Sequence, residues 1–283
     1  MNRKLKNNIA TAFLSLCALI GIGIFLAILT AVVTKGMHAI SWSFLTSEIE
    51  QAGASGGILP NLIGTSILLL TATITALPIS IATAFLIRYF RPTGKLTHII
   101  ETLLYILNGI PSILIGILGF TLFVRDLEIG KSWLVGGSLL GIMIVPTITI
   151  ILAERISAIP DIYTQAARGL GMSQATTARK VILPRCWASI ITGLLLGLAR
   201  AAGETAPILF TATVFSGAFL PEGITDSPIL SLPYHIFVLA QDSLEIASGN
   251  LWGSALVLLT LVFTLSLIAL PIRLKAHDES RHA

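Results

Sequence analysis

The chain has 283 residues, 54% of them hydrophobic and only 11% charged, with a net charge of +4 at neutral pH. A soluble domain carries about a quarter of its residues as charged side chains, so this composition excludes that class and points to a polytopic membrane protein. The basic residues are spread over loops, so the positive balance reads as membrane topology and not as a nucleic-acid-binding signal.

Six stretches are long enough to span a bilayer, which takes roughly 20 apolar residues as helix. They are 9–33, 61–87, 98–124, 133–152, 187–215 and 251–272. Their apolar runs are continuous and do not alternate, which predicts an all-α protein of six membrane helices and not a barrel. The first run follows Arg3, Lys4 and Lys6. At about 25 residues it exceeds the about 7–15 of a signal-peptide core, and no convincing cleavage site follows, so we expect a retained helix. The loop 35–60, rich in Gly, Ser and Ala, is expected outside. Pro78, Pro111 and Pro146 fall in the second, third and fourth spans. Each lacks a backbone donor and is expected to kink its helix. The pairs Gly137/Gly141 and Gly193/Gly197 have the spacing that lets helix backbones approach. The apolar stretch 229–240 is too short to cross and is expected to lie at the outer interface or dip in. Trp42, Trp133 and Trp252 fall near outer boundaries and Trp187 near an inner one, as interfacial belts require.

Loop charge sets the orientation. Lys and Arg gather at the N-terminus, at Arg88, Arg91 and Lys95, from Arg155 to Arg185, and at Arg273, Lys275 and Arg281. The alternate loops carry the acids Glu48, Glu50, Glu222, Asp226, Asp242 and Glu245. Both termini are therefore expected in the cytoplasm. Cys17 falls in the first span and Cys186 at the inner edge of the fifth, so neither a disulfide nor a metal site is expected.

Within the fifth span, Arg200 and Glu204 stand four residues apart. An ionisable residue in hydrocarbon costs about 2.5–3.5 kcal/mol and faces a partner or a polar cavity. The i, i+4 spacing puts both on one helix face. Arg200 is about 13 residues, roughly 20 Å, from the inner end of its helix, which is near the midplane. Two readings stay open. Arg200 lines a path and attracts an oxyanion through its planar fork of donors, with Glu204 holding it when the path is empty and Thr205 and Thr211 adding hydroxyls. Alternatively, the pair glues this helix to a partner. Glu101 and Glu154, each near a helix end, are weaker candidates.

No nucleotide-binding loop is present. The nearest candidate, Gly130-Lys131-Ser132, has Arg125 where the first glycine belongs. No hydrolase or metalloprotease motif occurs either, so a self-contained enzyme is not expected. The chain needs no cofactor of its own, and any ATP must be bound by a separate subunit.

The inner loop 155–184 has the marks of two short helices. Pro160 and Asp161 suit a first turn. Ile162, Ala166 and Leu170 recur at helical spacing, Gly169 and Gly171 stop the helix, and Ser173 caps the next one. Such an element either covers the bundle or docks a partner. The run Gln165-Ala166-Ala167, then Gly171, then Val181-Ile182-Leu183-Pro184 resembles the EAA loop of bacterial ABC importer permeases. Gln165 stands where that family usually has Glu, and Val181 where it has Ile. The resemblance implies that Gln165, Ala166, Ala167, Gly171, Leu183 and Pro184 belong to a coupling helix seated on an ATPase subunit.

Further stretches narrow the resemblance. Asn108-Gly109-Ile110-Pro111-Ser112-Ile113 with Gly116, the run from Ala199 to Ala212 containing Gly203-Glu204-Thr205-Ala206-Pro207, Ser231-Leu232-Pro233, and Leu251 to Leu256 are similar to the PstA-type permease of phosphate ABC importers. That implies a type I importer fold in the bacterial inner membrane. It also implies a PstC-like sister permease, two ATPase subunits and a periplasmic phosphate-binding protein as partners. Rival readings are a permease for phosphonate, sulfate or molybdate, an ion-coupled secondary transporter, for which no clear internal repeat is seen, and a membrane scaffold.

Overall fold

Helices carry most of the described chain. The computed structural model describes residues 3–50, 53, 55–215, 220–241 and 248–281. Asp242 and Glu245 lie outside the described residues, and so do the side chains of Arg273, Lys275 and Arg281. Helix α1 is Arg3–Gly36. The short α2, Trp42–Thr46, and a two-stranded antiparallel hairpin, β1 Ile49–Glu50 with β2 Ser55–Gly56, lead to α3, Leu59–Phe85, which ends in a π-helical turn, Leu86–Phe90. Next come α4, Lys95–Gly109, and α5, Ser112–Gly119, the latter running into a π-helical segment, Phe120–Asp126. Helix α6 is Trp133–Ser157. The inner loop holds α7 Asp161–Gly169, α8 Gln174–Thr177, a π-helical turn and α9 Leu183–Arg185. Helices α10 Trp187–Ala202, α11 Ala206–Thr211, α12 Leu232–Gln241 and α13 Ser248–Arg281 complete the order.

Four of these helices are long and apolar enough to cross a membrane, and the number reaches six if each of two bent pairs, Lys95–Gly109 with Ser112–Asp126 and Gln174–Arg185 with Trp187–Ala202, is one span. The core is α6, held between α3 and α10. Small residues set both seams. A Cβ on Gly137 or Gly141 would come within 2.6 Å of Thr71 or 2.8 Å of Thr75 on α3. Gly193 and Gly197 let α10 rest on Ile148 and Ile144 of α6, both buried. The two glycine pairs are thus packing surfaces, as their spacing implied. Helix α13 packs on α10, and α1 touches α13 where Gly36 meets Trp252. The rest of α1 is a bare apolar rod, with Phe13, Leu19 and Ile28 all exposed.

Two predicted spans are corrected. The third is not one kinked helix over 98–124. It breaks between Gly109 and Ser112, and its halves lie at 99°. Pro111 has no N–H for the carbonyl four residues back and biases Ile110 out of the helical region, where it sits at ψ 130°. The fifth is not one helix over 187–215. It stops at Ala202 and restarts at Ala206, because Pro207 cannot donate to Gly203 and its ring would clash with that carbonyl. Pro78 and Pro146, by contrast, stay inside unbroken helices. Near them the buried Ser80 hydroxyl donates to Val145 O at 3.3 Å, linking α3 to α6.

Candidate functional site

The two breaks meet. Asn108 is in the last turn of α4, Arg200 in the last turn of α10, and Glu204 in the gap before α11. Arg200 Nη1 donates to Asn108 Oδ1 at 2.8 Å, and its Nε lies 3.7 Å from Glu204 Oε1. The outer halves of the two spans also touch. Gly116 of α5 lies so close to α11 that a Cβ would be 2.8 Å from Ala206 O. The crossing therefore carries a neutral amide, a permanent cation and a carboxylate in one row.

The cation is only partly engaged. A guanidinium has five N–H donors. One is taken well by Asn108, and the contact to Glu204 is long. In the isolated chain the Arg200 side chain keeps 35% of its exposure and Glu204 19%. Donors remain for an oxyanion, and the long pair to Glu204 is readily exchanged. Asn108, whose partnership with Arg200 hydropathy does not reveal, is also exposed and has an amide NH2 beside the same cation. Its signal in the sequence is a polar residue on an apolar helix just ahead of Gly-Ile-Pro.

Thr205 follows Glu204 directly and is half-buried at the start of α11, with its carbonyl accepting from Leu209 N at 3.0 Å. Thr211 stands apart from this group. It is fully buried, its hydroxyl donates to Pro207 O at 2.7 Å, and it packs against Gly119 and Gly136. The outer end of α11 is held by Lys131, whose Nζ donates to Leu209 O at 3.2 Å and Thr213 O at 3.0 Å. Partial burial lowers the ammonium pKa of Lys131.

The inner loop forms a second candidate surface. Helix α7 runs from Asp161 after Pro160, and Gly171 takes φ +74°, the left-handed turn that ends it. Ser173 Oγ accepts from Thr176 N at 3.2 Å and starts α8. Gln165 and Ala166 are exposed, while Ala167 is buried beneath them. Leu183 packs on the core, and Pro184 faces out. The apolar stripe points away from the bundle, with Ile162 67% and Leu170 82% exposed. That favours docking over covering, since a covering helix would bury this stripe. Arg185 stacks over the Tyr163 ring at 4.0 Å, and Arg155 Nε donates to Arg185 O at 3.3 Å, tying the loop to the end of α6. Cys17 and Cys186 are both free thiols, the first exposed and the second buried.

Residues 76–277 match the family described as binding-protein-dependent transport system inner membrane component. Among curated proteins, the chain is 32% identical over 267 residues to the phosphate transport system permease protein PstA 2 of Mycobacterium bovis, covering 94% of this chain and 86% of that one. It is 30% identical over 268 residues to PstA of Yersinia pestis, covering 94% and 90%. It is also 30% identical over 212 residues to the probable ABC transporter permease protein YqgI of Bacillus subtilis, covering 75% and 72%. Among solved structures, the MetNI methionine ABC transporter in inward-facing conformations aligns with TM-score 0.53 at 15% identity, over 80% of this chain and 96% of that one. A bacterial ABC transporter involved in alginate import aligns with TM-score 0.53 at 13% identity, over 99% of both chains. At such identities the last two speak for the fold alone.

Proposed function

The chain belongs to the family of binding-protein-dependent transport system inner membrane components, and from that premise we propose that it is the PstA-like membrane subunit of an ATP-driven importer of inorganic phosphate. It forms half of the translocation path as a single membrane domain. A PstC-like sister permease supplies the other half, two ATPase subunits bind ATP and grip the α7 surface, and a periplasmic phosphate-binding protein delivers the ion. Both termini are cytoplasmic. The substrate rests on the relatives named for phosphate transport, which match over nearly the whole chain.

The observation that carries the path is the row Asn108–Arg200–Glu204 at the crossing of two broken spans. Irregular backbone at membrane depth is tolerated only where protein or a water-filled cavity satisfies it. Phosphate takes the donors that Arg200 and Asn108 leave over. Glu204 accepts a proton-bearing phosphate oxygen and then reclaims Arg200, which keeps binding weak enough for release. ATP binding closes the ATPase pair and moves α7. The motion reaches the crossing through α8, α9 and α10, which follow α7 in the chain.

The test is phosphate uptake and complex assembly for Arg200→Gln in the reconstituted importer. We expect uptake to fall to background with the complex intact. Undiminished uptake refutes the path, and a complex that falls apart assigns the pair to subunit adhesion instead. Competition by sulfate and molybdate in the same assay tests the choice of phosphate.

A further inference from the structure

The Arg200 row is not the only place where a guanidinium and a carboxylate share an opening. Seven residues before Asn108 on α4 is Glu101. Seven residues are two turns, about 10 Å along the axis, so the two side chains lie near one face of the helix. Glu101 is nearer the Lys95 end, which loop charge assigns to the cytoplasm. Arg88, in the π-helical turn that ends α3, places Nη1 2.7 Å from Glu101 Oε1. The two are an ion pair by distance but not aligned as a hydrogen bond, so that buried oxygen still lacks one.

Beside the pair is a cavity of about 90 Å³ lined by Arg88, Glu101, Tyr105, Thr149 and Glu154 together with apolar side chains. At about 30 Å³ per liquid water this holds roughly three waters, the room a small tetrahedral ion needs. Thr149 is fully buried on its wall, and its hydroxyl has no partner among the described residues. A buried hydroxyl without a partner is costly unless something in the cavity supplies one. The opening thus offers a permanent cation paired to a carboxylate at 2.7 Å, with an unpartnered hydroxyl in its wall. Glu154, at the rim, is exposed, where solvent weakens its repulsion.

We propose that the cavity between Arg88, Glu101 and Thr149 is a second, inner oxyanion station, which takes phosphate from the Arg200 crossing and releases it to the cytoplasm. This rests on the phosphate path proposed above. Arg88 binds the anion, Thr149 donates to it, and Glu101 competes for Arg88 and so limits affinity. Two weak sites in series let an incoming ion displace its predecessor.

The experiment is a titration of the assembled, nucleotide-free importer with inorganic phosphate, read by 31P line broadening, without the binding protein. Background from the ATPase subunits is common to all variants. It is run in the Arg200→Gln complex, so that the crossing contributes nothing. We expect Arg88→Gln to weaken phosphate binding at least about tenfold and Glu101→Gln to tighten it by about three- to tenfold, as for a lost charged hydrogen bond and a lost competitor. A purely structural pair predicts the same effect from both changes, and a cation site predicts that neither change alters phosphate binding. Either result overturns the station. Should those variants fail to assemble, Thr149→Val decides, because it keeps shape and removes only the hydroxyl. We expect it to bind phosphate about threefold more weakly, and unchanged binding sinks the proposal. The Arg200 reading is judged separately by uptake, so either can fail alone.

Discussion

Arg200 is shared between an amide at 2.8 Å and a carboxylate at 3.7 Å, and that asymmetry distinguishes its two possible roles. A structural cation gains from more negative charge nearby, whereas a cation that must accept a passing anion loses by it. Asn108→Asp puts a second carboxylate where the amide oxygen now sits. If Arg200 serves the path, uptake by Asn108→Asp falls about tenfold or more, while Asn108→Ala, which only removes one charged hydrogen bond, costs about three- to tenfold. The check is phosphate uptake per assembled complex. An Asp variant that outperforms the Ala variant assigns Arg200 to adhesion. Arg200 and Glu204 were legible in the sequence because charges in an apolar run are conspicuous. Asn108 was not, because an amide barely changes hydropathy and its partner is 92 residues away.

At the scale of the element, length and apolarity revealed the spans, and Gly-x-x-x-Gly spacing revealed the seams. The two breaks stayed hidden because hydropathy averages over a proline. What breaks a helix is one missing donor and one clash four residues back, and Pro78 and Pro146 show that a proline need not end the helix it sits in. Thr211 stands apart from Arg200 for a related reason. An unbroken fifth helix would carry it on from Arg200, but the restart at Ala206 turns it into the α5–α6 packing. The inner loop, built from local caps, was legible nearly residue by residue. Its turn gives a clean prediction. Gly171 has φ +74°, and a Cβ there meets nothing within 4 Å. Any penalty at this position is therefore conformational, about 1–2 kcal/mol for most residues and less for Asn. We expect Gly171→Ala to lower transport-coupled ATP hydrolysis by tilting α7, and Gly171→Asn to retain most of it. Equal loss in both would show that the turn's handedness is irrelevant. At the crossing, Gly116→Ala forces α5 and α11 apart and is expected to reduce uptake while assembly persists.

Across the whole molecule, the outer face is built from contacts that join distant parts of the chain. Asn61 Nδ2 donates to Ser231 O at 3.2 Å, Leu232 N donates to Thr65 Oγ1 at 2.9 Å, and Asn250 Nδ2 donates to Gly53 O at 3.1 Å. Inside this seam, on the non-spanning helix α12, His235 is 2% exposed, with no partner on Nε2 among the described residues and Gly53 closing over its ring. Burial pushes its pKa down from 6.5 to about 4. Between those values the unfolded chain binds a proton that the folded chain refuses. Stability is therefore full above about pH 6.5 and is lost as pH falls toward 4, at up to about 1.4 kcal/mol per pH unit. The acids closest to Gly53 on its N-terminal side, Glu48 and Glu50, are both exposed. We therefore expect the thermal midpoint of the complex to fall between pH 6.5 and 5, and His235→Gln, which cannot titrate, to flatten that slope. A slope unchanged in the variant would place the acid sensitivity elsewhere and leave the outer seam without a titrating group at its centre.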